Sequence, residues 1–384
     1  MKIVFLFCFL TMVGCLSFAQ TDSAKVKFVV IDSTLSISDS VYITGNTSKL
    51  GNWNPNKTAL KKINNSSYAL ELFFSKDKTI EYKFTKGSWS SEALNSDSTV
   101  PPNYKLKIEN DTTLVYNISL WGESSKPKFE GQITGNIEYI RNLKTRKELL
   151  PRDIILWLPP NYDDKINERY PVLYMNDGQN IIDPATSFSG IDWQIDETAD
   201  SLIKQDLIEL LIIVGIYNTK NRNKEYSEND TGYAYIDFLA NDLKPIIDNK
   251  FRTKPDAENT AIAGSSMGGL ISFIAAWEYP DVFSKAACLS PALKIGEYNF
   301  VDNVQAYKGE KKKIKLYIDN GSVDLEDSLQ TGIDEMMQTL KQKGYKEGKD
   351  FIWFKDEGAA HNETAWAERS WRFLKLFFEK GKER

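Results

Sequence analysis

Near residue 130 the hydrophobic pattern of this chain changes period, and one repeating layer cannot satisfy both halves. Residues 24 to about 120 carry short runs rich in Val, Ile, Tyr, Phe and Thr: KVKFVVID, DSVYITG, YALELFFS, TIEYKFT and TLVYNISLW. Several alternate apolar with polar residues, and Asn, Gly, Ser, Asp and Pro fill the gaps. That spacing predicts an antiparallel β-sandwich. GESSKPK, 122–128, has the composition of a linker. Beyond it, buried-type strands (DIILWL, YPVLYM, LLIIVGI, NTAIAG, KIKLYI) alternate with segments of helical spacing such as YIDFLANDLKPIID, GGLISFIAAWEY and DSLQTGIDEMMQTLKQK. Such alternation predicts a mostly parallel sheet with helices on both faces. The 384 residues suffice for two domains. The expected division is a leader at 1–19, a sandwich at 24–121, a linker at 122–132 and an α/β domain at 133–384.

The leader reads MKIVFLFCFLTMVGCLSFAQ. Lys2 is its positive start, Ile3 to Leu16 its apolar run, and Ser17-Phe18-Ala19 a small-x-small cleavage site. The run is short for a membrane span, so the expectation is export, secreted or periplasmic, with no transmembrane segment in the mature chain. The alternative within the same stretch is a lipobox at Val13-Gly14-Cys15, which would anchor a lipoprotein at Cys15. Cleavage after Ala19 leaves Cys288 as the one cysteine of three, so no internal disulfide can form. Its apolar context, KAACLSPAL, predicts a small buried side chain.

A net charge of −5 with both signs interspersed offers no basic stripe for nucleic acid or an anionic membrane. No Walker A lysine motif and no GxGxxG after a strand supports nucleotide chemistry. One histidine and one mature cysteine cannot build a His- or Cys-rich zinc site. An all-carboxylate metal site stays open, although no calcium-loop spacing stands out.

Against that background, AIAGSSMGGL places Ser266 in a G-x-S-x-G between a strand-like run and a helix-like run. A strand feeding a helix through a tight turn is the context a raised serine nucleophile requires. Gly264 and Gly268 would let the backbone crowd at the turn. The helix N-terminus behind it would favour developing negative charge. The plain alternative is a Gly-Ser turn that packs a helix onto a strand. A serine hydroxyl needs a base, and the chain has a single histidine, His361, in the loop-like KDEGAAHNETAW. Asp324, in KIKLYIDNGSVDLED, is the candidate acid to orient it, with Asp319 and Glu326 as rivals. The order Ser, Asp, His is the order of α/β-hydrolases. An oxyanion hole needs two converging N–H donors. The backbones of Met267 and of Gln179, in YPVLYMNDGQN, are the candidates, the rival reading of the latter being an ordinary Asp-Gly turn.

Several further stretches carry a family resemblance. RDIILWLPPNYDDKINERYPVLYMNDGQN, RNKEY, GSSMGG and GAAHNETAW resemble, in order, the esterase family that includes feruloyl and acetyl-xylan esterases, enterochelin-type siderophore esterases and the antigen 85 mycolyltransferases. The resemblance runs from about 133 to 380. It implies an α/β-hydrolase fold without a cofactor. It also implies Ser266 as nucleophile, His361 as base, Asp324 as acid, and the backbones of Gln179 and Met267 as oxyanion donors. VYITGNTSKLGNWNP followed by IEYKF resembles family 20 starch-binding modules, which are β-sandwiches. That implies carbohydrate binding by Trp53, Lys83 and a second tryptophan, for which Trp89 is the nearest candidate, with an α-glucan as ligand. The alternative is that both tryptophans fill the small core.

The expectation is therefore a serine carboxylic-ester hydrolase acting on an ester-decorated carbohydrate. An esterase for a siderophore or another small molecule is the alternative. A non-catalytic glycan-binding protein is the reading from another class.

Overall fold

The computed structural model describes residues 23–32, 40–64, 66–96, 99–122, 132–146 and 148–381. The export signal, the lipobox at Cys15 and most of the linker stretch lie outside the described residues.

The first half is a sandwich of two four-stranded sheets. Its strands are β1 (Ser23–Ile31), β2 (Tyr42–Gly45), β3 (Thr58–Ala59), β4 (Lys61–Asn64), β5 (Ser67–Ser75), β6 (Thr79–Thr85), β7 (Tyr104–Lys107) and β8 (Thr112–Asn117). The sheet orders are β4-β5-β1-β8 and β3-β2-β6-β7. Strict alternation along β1 turns Val26, Phe28 and Val30 inward, where they meet Ile43, Ile80 and Phe84. The sandwich is not wholly antiparallel as the strand pattern predicted. β8 lies parallel to β1, with Val26 opposite Thr112. The chain crosses to the other sheet and back between β5 and β8, so β8 re-enters the first sheet in the direction of β1.

The second half holds an eight-stranded sheet in the order β18-β17-β14-β13-β11-β12-β10-β9. These strands are β9 (Asn136–Leu143), β10 (Arg152–Leu158), β11 (Val172–Asn176), β12 (Ile212–Ile216), β13 (Thr260–Ser265), β14 (Lys285–Leu289), β17 (Lys315–Asn320) and β18 (Phe351–Lys355). A two-residue hairpin, β15 (Lys294–Ile295) and β16 (Tyr298–Asn299), stands apart. From β12 to β18 all neighbours run parallel; β9 and β10 are antiparallel. The helices are α1 (Ile195–Lys204), α2 (Arg222–Glu225), α3 (Asp230–Phe238), α4 (Lys244–Lys250), α5 (Met267–Glu278), α6 (Phe300–Ala306), α7 (Leu325–Gln342) and α8 (Glu363–Phe378).

Every residue of β11, β12 and β13 is buried, as a strand covered on both faces demands. Alternate residues serve opposite cores. Val172 and Tyr174 join the one with α5 and α7, while Leu173 and Met175 join the one with α1 and α8. α7 meets the sheet through Leu329, Ile333, Met336 and Leu340, one helical face. Cys288 lies fully buried in β14.

The chain leaves β11 toward β12 on one side and β13 toward β14 on the other. Loops at such a reversal diverge and open a crevice at the carboxyl ends of the strands. The segments after β11, β13, β14, β17 and β18 all emerge at that edge.

Candidate active site

Ser266 is the single residue between β13 and α5. Its φ of 57° and ψ of −123° form a strained turn that lifts the side chain off the sheet edge. Its N–H donates to the Leu289 carbonyl at 2.9 Å, and its own carbonyl accepts from Leu270 and Ala292. Gly264 is required here because a Cβ would lie 2.6 Å from the Gly268 carbonyl oxygen. Met267 opens α5, so its N–H belongs to the first turn, where donors lack partners within the helix.

The next strand end leads to the histidine. Ser290, directly after β14, donates its hydroxyl to Glu326 Oε1 at 2.6 Å. Glu326 Oε1 also lies 3.0 Å from His361 Nδ1. Its other oxygen accepts from Gly321 N–H at 2.9 Å. Burial alone would raise this carboxyl, but the bonds from His361, Ser290 and Gly321 outweigh it and hold the group below the ordinary glutamate value. A carboxylate at Nδ1 makes that nitrogen the donor and leaves Nε2 with the lone pair. The edge of Trp366 packs on the imidazole at 4.9 Å between ring centres. Trp366 Nε1 and Arg369 in turn donate to Ser290 Oγ, at 3.0 and 3.1 Å.

This corrects the assignment of the acid. Asp324 is not the partner of His361. It occupies the position before α7 with φ 60° and ψ −120°, and its carboxylate pairs with Lys105 of the sandwich at 3.1 Å. Glu326 lies in the first turn of α7, fully buried, where a longer side chain reaches back under the loop. Asp319 is also engaged elsewhere, with Arg369 at 3.1 Å and the Tyr317 hydroxyl at 2.8 Å. Burial pushes it up to about 6 against the pull of Arg369.

Gln179 sits in a short turn after β11. Gly178 packs so closely on β12 that a Cβ would stand 2.4 Å from the Gly215 carbonyl carbon. Asp177 is left-handed, with φ 58°, and is held from several sides. Arg222 grips its carboxylate with two bonds of 2.7 Å, Asn218 donates to it at 2.6 Å, and its N–H donates to the Tyr226 hydroxyl. Arg222 and Tyr226 belong to the stretch NRNKEY, whose blandest sequence reading is a solvated loop. In the fold it braces the turn that carries Gln179. Glu225 in the same stretch forms a fully buried ion pair with Arg152 at 2.9 Å.

Residues 150–371 match the Esterase family model. The chain belongs to the Esterase family. It is a carboxylic ester hydrolase. Residues 23–117 match the starch binding domain model. YbbA of Bacillus subtilis (strain 168), an uncharacterized protein, is 23% identical over 248 residues, 60% of this chain and 94% of that protein. The endo-1,4-beta-xylanase/feruloyl esterase of Xylanibacter ruminicola is 31% identical over 220 residues, 55% of this chain and 27% of that protein. Among solved structures, a ferulic acid esterase superposes with a TM-score of 0.54 at 20% identity, covering 64% of this chain and 99% of its own. The enterobactin esterase of Shigella flexneri gives 0.50 at 13% identity over 94% of each chain. These likenesses establish the α/β-hydrolase fold of the esterase domain and the β-sandwich before it.

On the esterase's sandwich, Trp53 and Trp89 come together with ring centres 6.4 Å apart and planes inclined by 32°. Both are half-buried. Lys83 pairs with the buried Glu92 at 3.0 Å. That pair lies within electrostatic reach of Glu363, the first residue of α8 and two residues beyond His361. Burial, with the negative charges of Glu92 and Asp177, pushes Glu363 up to about 8, and Lys83 offsets part of this. Asn362 starts α8 by accepting from Ala365 N–H at 3.0 Å.

One acidic group among the described residues has metal-like spacing: Asp192, Asp196 and Glu197, with ligand atoms within 4.8 Å of one another. Burial chiefly pushes Asp196 up to about 8 and Asp192 to about 6, and the neighbouring Glu197 adds to both. Among the described residues, no helix is long and apolar enough to cross a membrane.

Sequence reasoning did not find Ser290, Asn218, Glu363 or Arg369. Ser290 had a local signal, since CLSP follows a buried-type strand as GSSM does. Glu363 stands two residues beyond His361 and was in reach of a local reading, whereas Asn218 and Arg369 meet their partners Asp177 and Ser290 through long-range folding.

Proposed function

We propose that this esterase cleaves acyl esters carried by a carbohydrate, through an acyl-enzyme on Ser266. Ser266 Oγ attacks the ester carbonyl while His361 Nε2 takes its proton. Glu326 holds the imidazole and stabilises its charged form. The N–H groups of Met267 and Gln179 receive the oxyanion. The C–O bond to the alcohol breaks as His361 returns the proton to that oxygen. Water then attacks the acyl carbon, again deprotonated by His361, and Ser266 leaves as the hydroxyl.

The observation that carries this reading is the placement of Ser266 on a strained turn at the sheet edge where Glu326 holds His361. Support for a carbohydrate ester comes from the feruloyl esterase relative and from the starch binding domain match. The likeness to an enterobactin esterase over both domains favours a second reading, a small siderophore-type ester. The leader adds the proposal that the mature protein is exported, to be checked by the mass of its N-terminal peptide.

The test is acid release from acetylated and feruloylated polysaccharides and from a catecholate siderophore ester, with Ser266→Ala beside the native protein. Release from a polysaccharide that drops at least ~10³-fold in the variant is expected. Release from the siderophore ester alone selects the second reading. Full activity in Ser266→Ala eliminates the acyl-enzyme.

A further inference from the structure

A cavity of about 380 Å³ lies between the two domains, lined by Asn54 of the sandwich and, from the esterase domain, by Asn223, Ser227, Tyr298 and Asn299. Its size falls at the lower end of small-molecule sites. Leu270, another wall residue, is one turn along α5 and bonds back to the Ser266 carbonyl. Asn223 follows the Arg222 that clamps Asp177. The cavity is thus linked to the Ser266 turn through Leu270 and to the Asp177–Gln179 turn through the segment that carries Arg222, without Ser266 or Gln179 themselves in its wall.

The lining chemistry is that of polyol recognition. The oxygen of Asn54 already accepts from Asn56 N–H, and that of Asn299 from Asp302 N–H. Among the described residues, neither side-chain NH2 group has a protein acceptor, so both can donate to hydroxyl or ring oxygens. Glu228 and Glu297 on the rim add acceptors for hydroxyl protons.

The sandwich wall is held in place rather than lying there by chance. Gly51, Asn52 and Trp53 are successively left-handed, with φ of 83°, 50° and 59°. Two of these are not glycine, and such backbone persists only where its surroundings enforce it. This strained run delivers Asn54 to the cavity and sets Asn52 against Gly296, where a Cβ would meet it at 3.6 Å. Lys57 pairs with Glu297 at 3.9 Å beside the cavity, and Lys105 with Asp324 at 3.1 Å.

We infer that the cleft between Asn54 and Tyr298 is the sugar subsite of the ester site, so that the N-terminal module forms a wall of the active site. This rests on the carbohydrate-ester reading above. It is distinct from the Trp53–Trp89 pair, which the module's family resemblance already implies. A module acting only as an anchor would matter for polymers alone. A wall matters for an ester carried on a disaccharide, which is too short to reach a separate anchor.

The experiment measures kcat/KM of the full chain on a short sugar ester and on its sugar-free counterpart. The pairs are acetylated xylobiose with 4-nitrophenyl acetate, and feruloylated arabinobiose with methyl ferulate. Asn54→Ala and Tyr298→Phe are each expected to lower the sugar-to-sugar-free ratio about tenfold, the loss of one or two hydrogen bonds. Asn54→Gln, which keeps the amide, should recover part of it, and thermal melts exclude misfolding. An unchanged ratio in both variants, with the native protein active on both esters, overturns the subsite and leaves the proposed function standing. Native protein that cleaves no sugar ester in either pair removes both.

Discussion

At the scale of single residues, the acid of the site is decided by reach and burial. Asp324 and Glu326 stand two positions apart, and the family spacing points to the first. Yet only Glu326 is buried, and it collects bonds from His361, Ser290 and Gly321. Glu326→Gln is therefore expected to lower kcat by roughly 10³–10⁴-fold, because the amide cannot hold the imidazole in the same tautomer and charge state. Asp324→Asn should change kcat by no more than about fivefold, within the modest worth of an exposed ion pair. Steady-state rates on one ester distinguish them, and the reverse ranking would restore Asp324. Glu363 gives a second residue-level outcome. Its folded-state pKa of about 8 lies above its unfolded value, so the folded protein binds more protons between these. Stability from this group is present below about pH 4.5 and is lost as pH rises toward 8. Glu363→Gln should flatten that decline and gain about 2–4 kcal/mol over the native protein at pH 8.5, read by denaturant melts at both pH values.

At the scale of elements, two glycines and one ion pair set how close the turns approach the sheet. Gly264→Val should destabilise the domain by about 3 kcal/mol or more, since β-branched bulk meets the Gly268 backbone with nothing flexible to yield. The pair Arg152–Glu225 ties β10 to α2 with both side chains fully buried. Removing one partner strands the other charge, so Glu225→Ala should cost about 3–5 kcal/mol. It should also loosen Arg222 and hence the Asp177 turn, lowering kcat more than it raises KM. A stable variant with native kinetics would show that α2 does not brace the oxyanion turn. Much of this element layer was legible in the chain. The buried strands and the amphipathic α7 followed from periodicity, and the elbow from its glycines. The parallel pairing of β8 with β1 was not, because strand direction within a sandwich depends on how the chain crosses between sheets.

At the scale of the whole molecule, the sandwich is joined to the esterase domain by polar contacts. The Lys105–Asp324 pair is one of these, with Lys105 about half exposed, and exposed pairs contribute little individually. A double-mutant cycle on Lys105→Ala and Asp324→Ala should return a coupling of about 0.2–1 kcal/mol. A value near zero would mean that docking relies on the Asn52–Gly296 contact and the cleft. The arrangement also brings Lys83 and Glu92 into electrostatic contact with Glu363, next to His361.

The sequence by itself determined the β-sandwich followed by an α/β-hydrolase domain, the serine on its elbow and the single histidine proposed as its base. Each is written locally, in periodicity, in glycines that a tight turn requires, or in there being one histidine to choose. Tertiary structure alone decided which carboxylate reaches that histidine, what braces the Asp177–Gln179 turn and which face of the sandwich meets the esterase domain. Those depend on directions and distances between segments 35 to 280 residues apart, such as Glu326 with His361 and Lys83 with Glu363. No spacing along the chain encodes where two such segments meet.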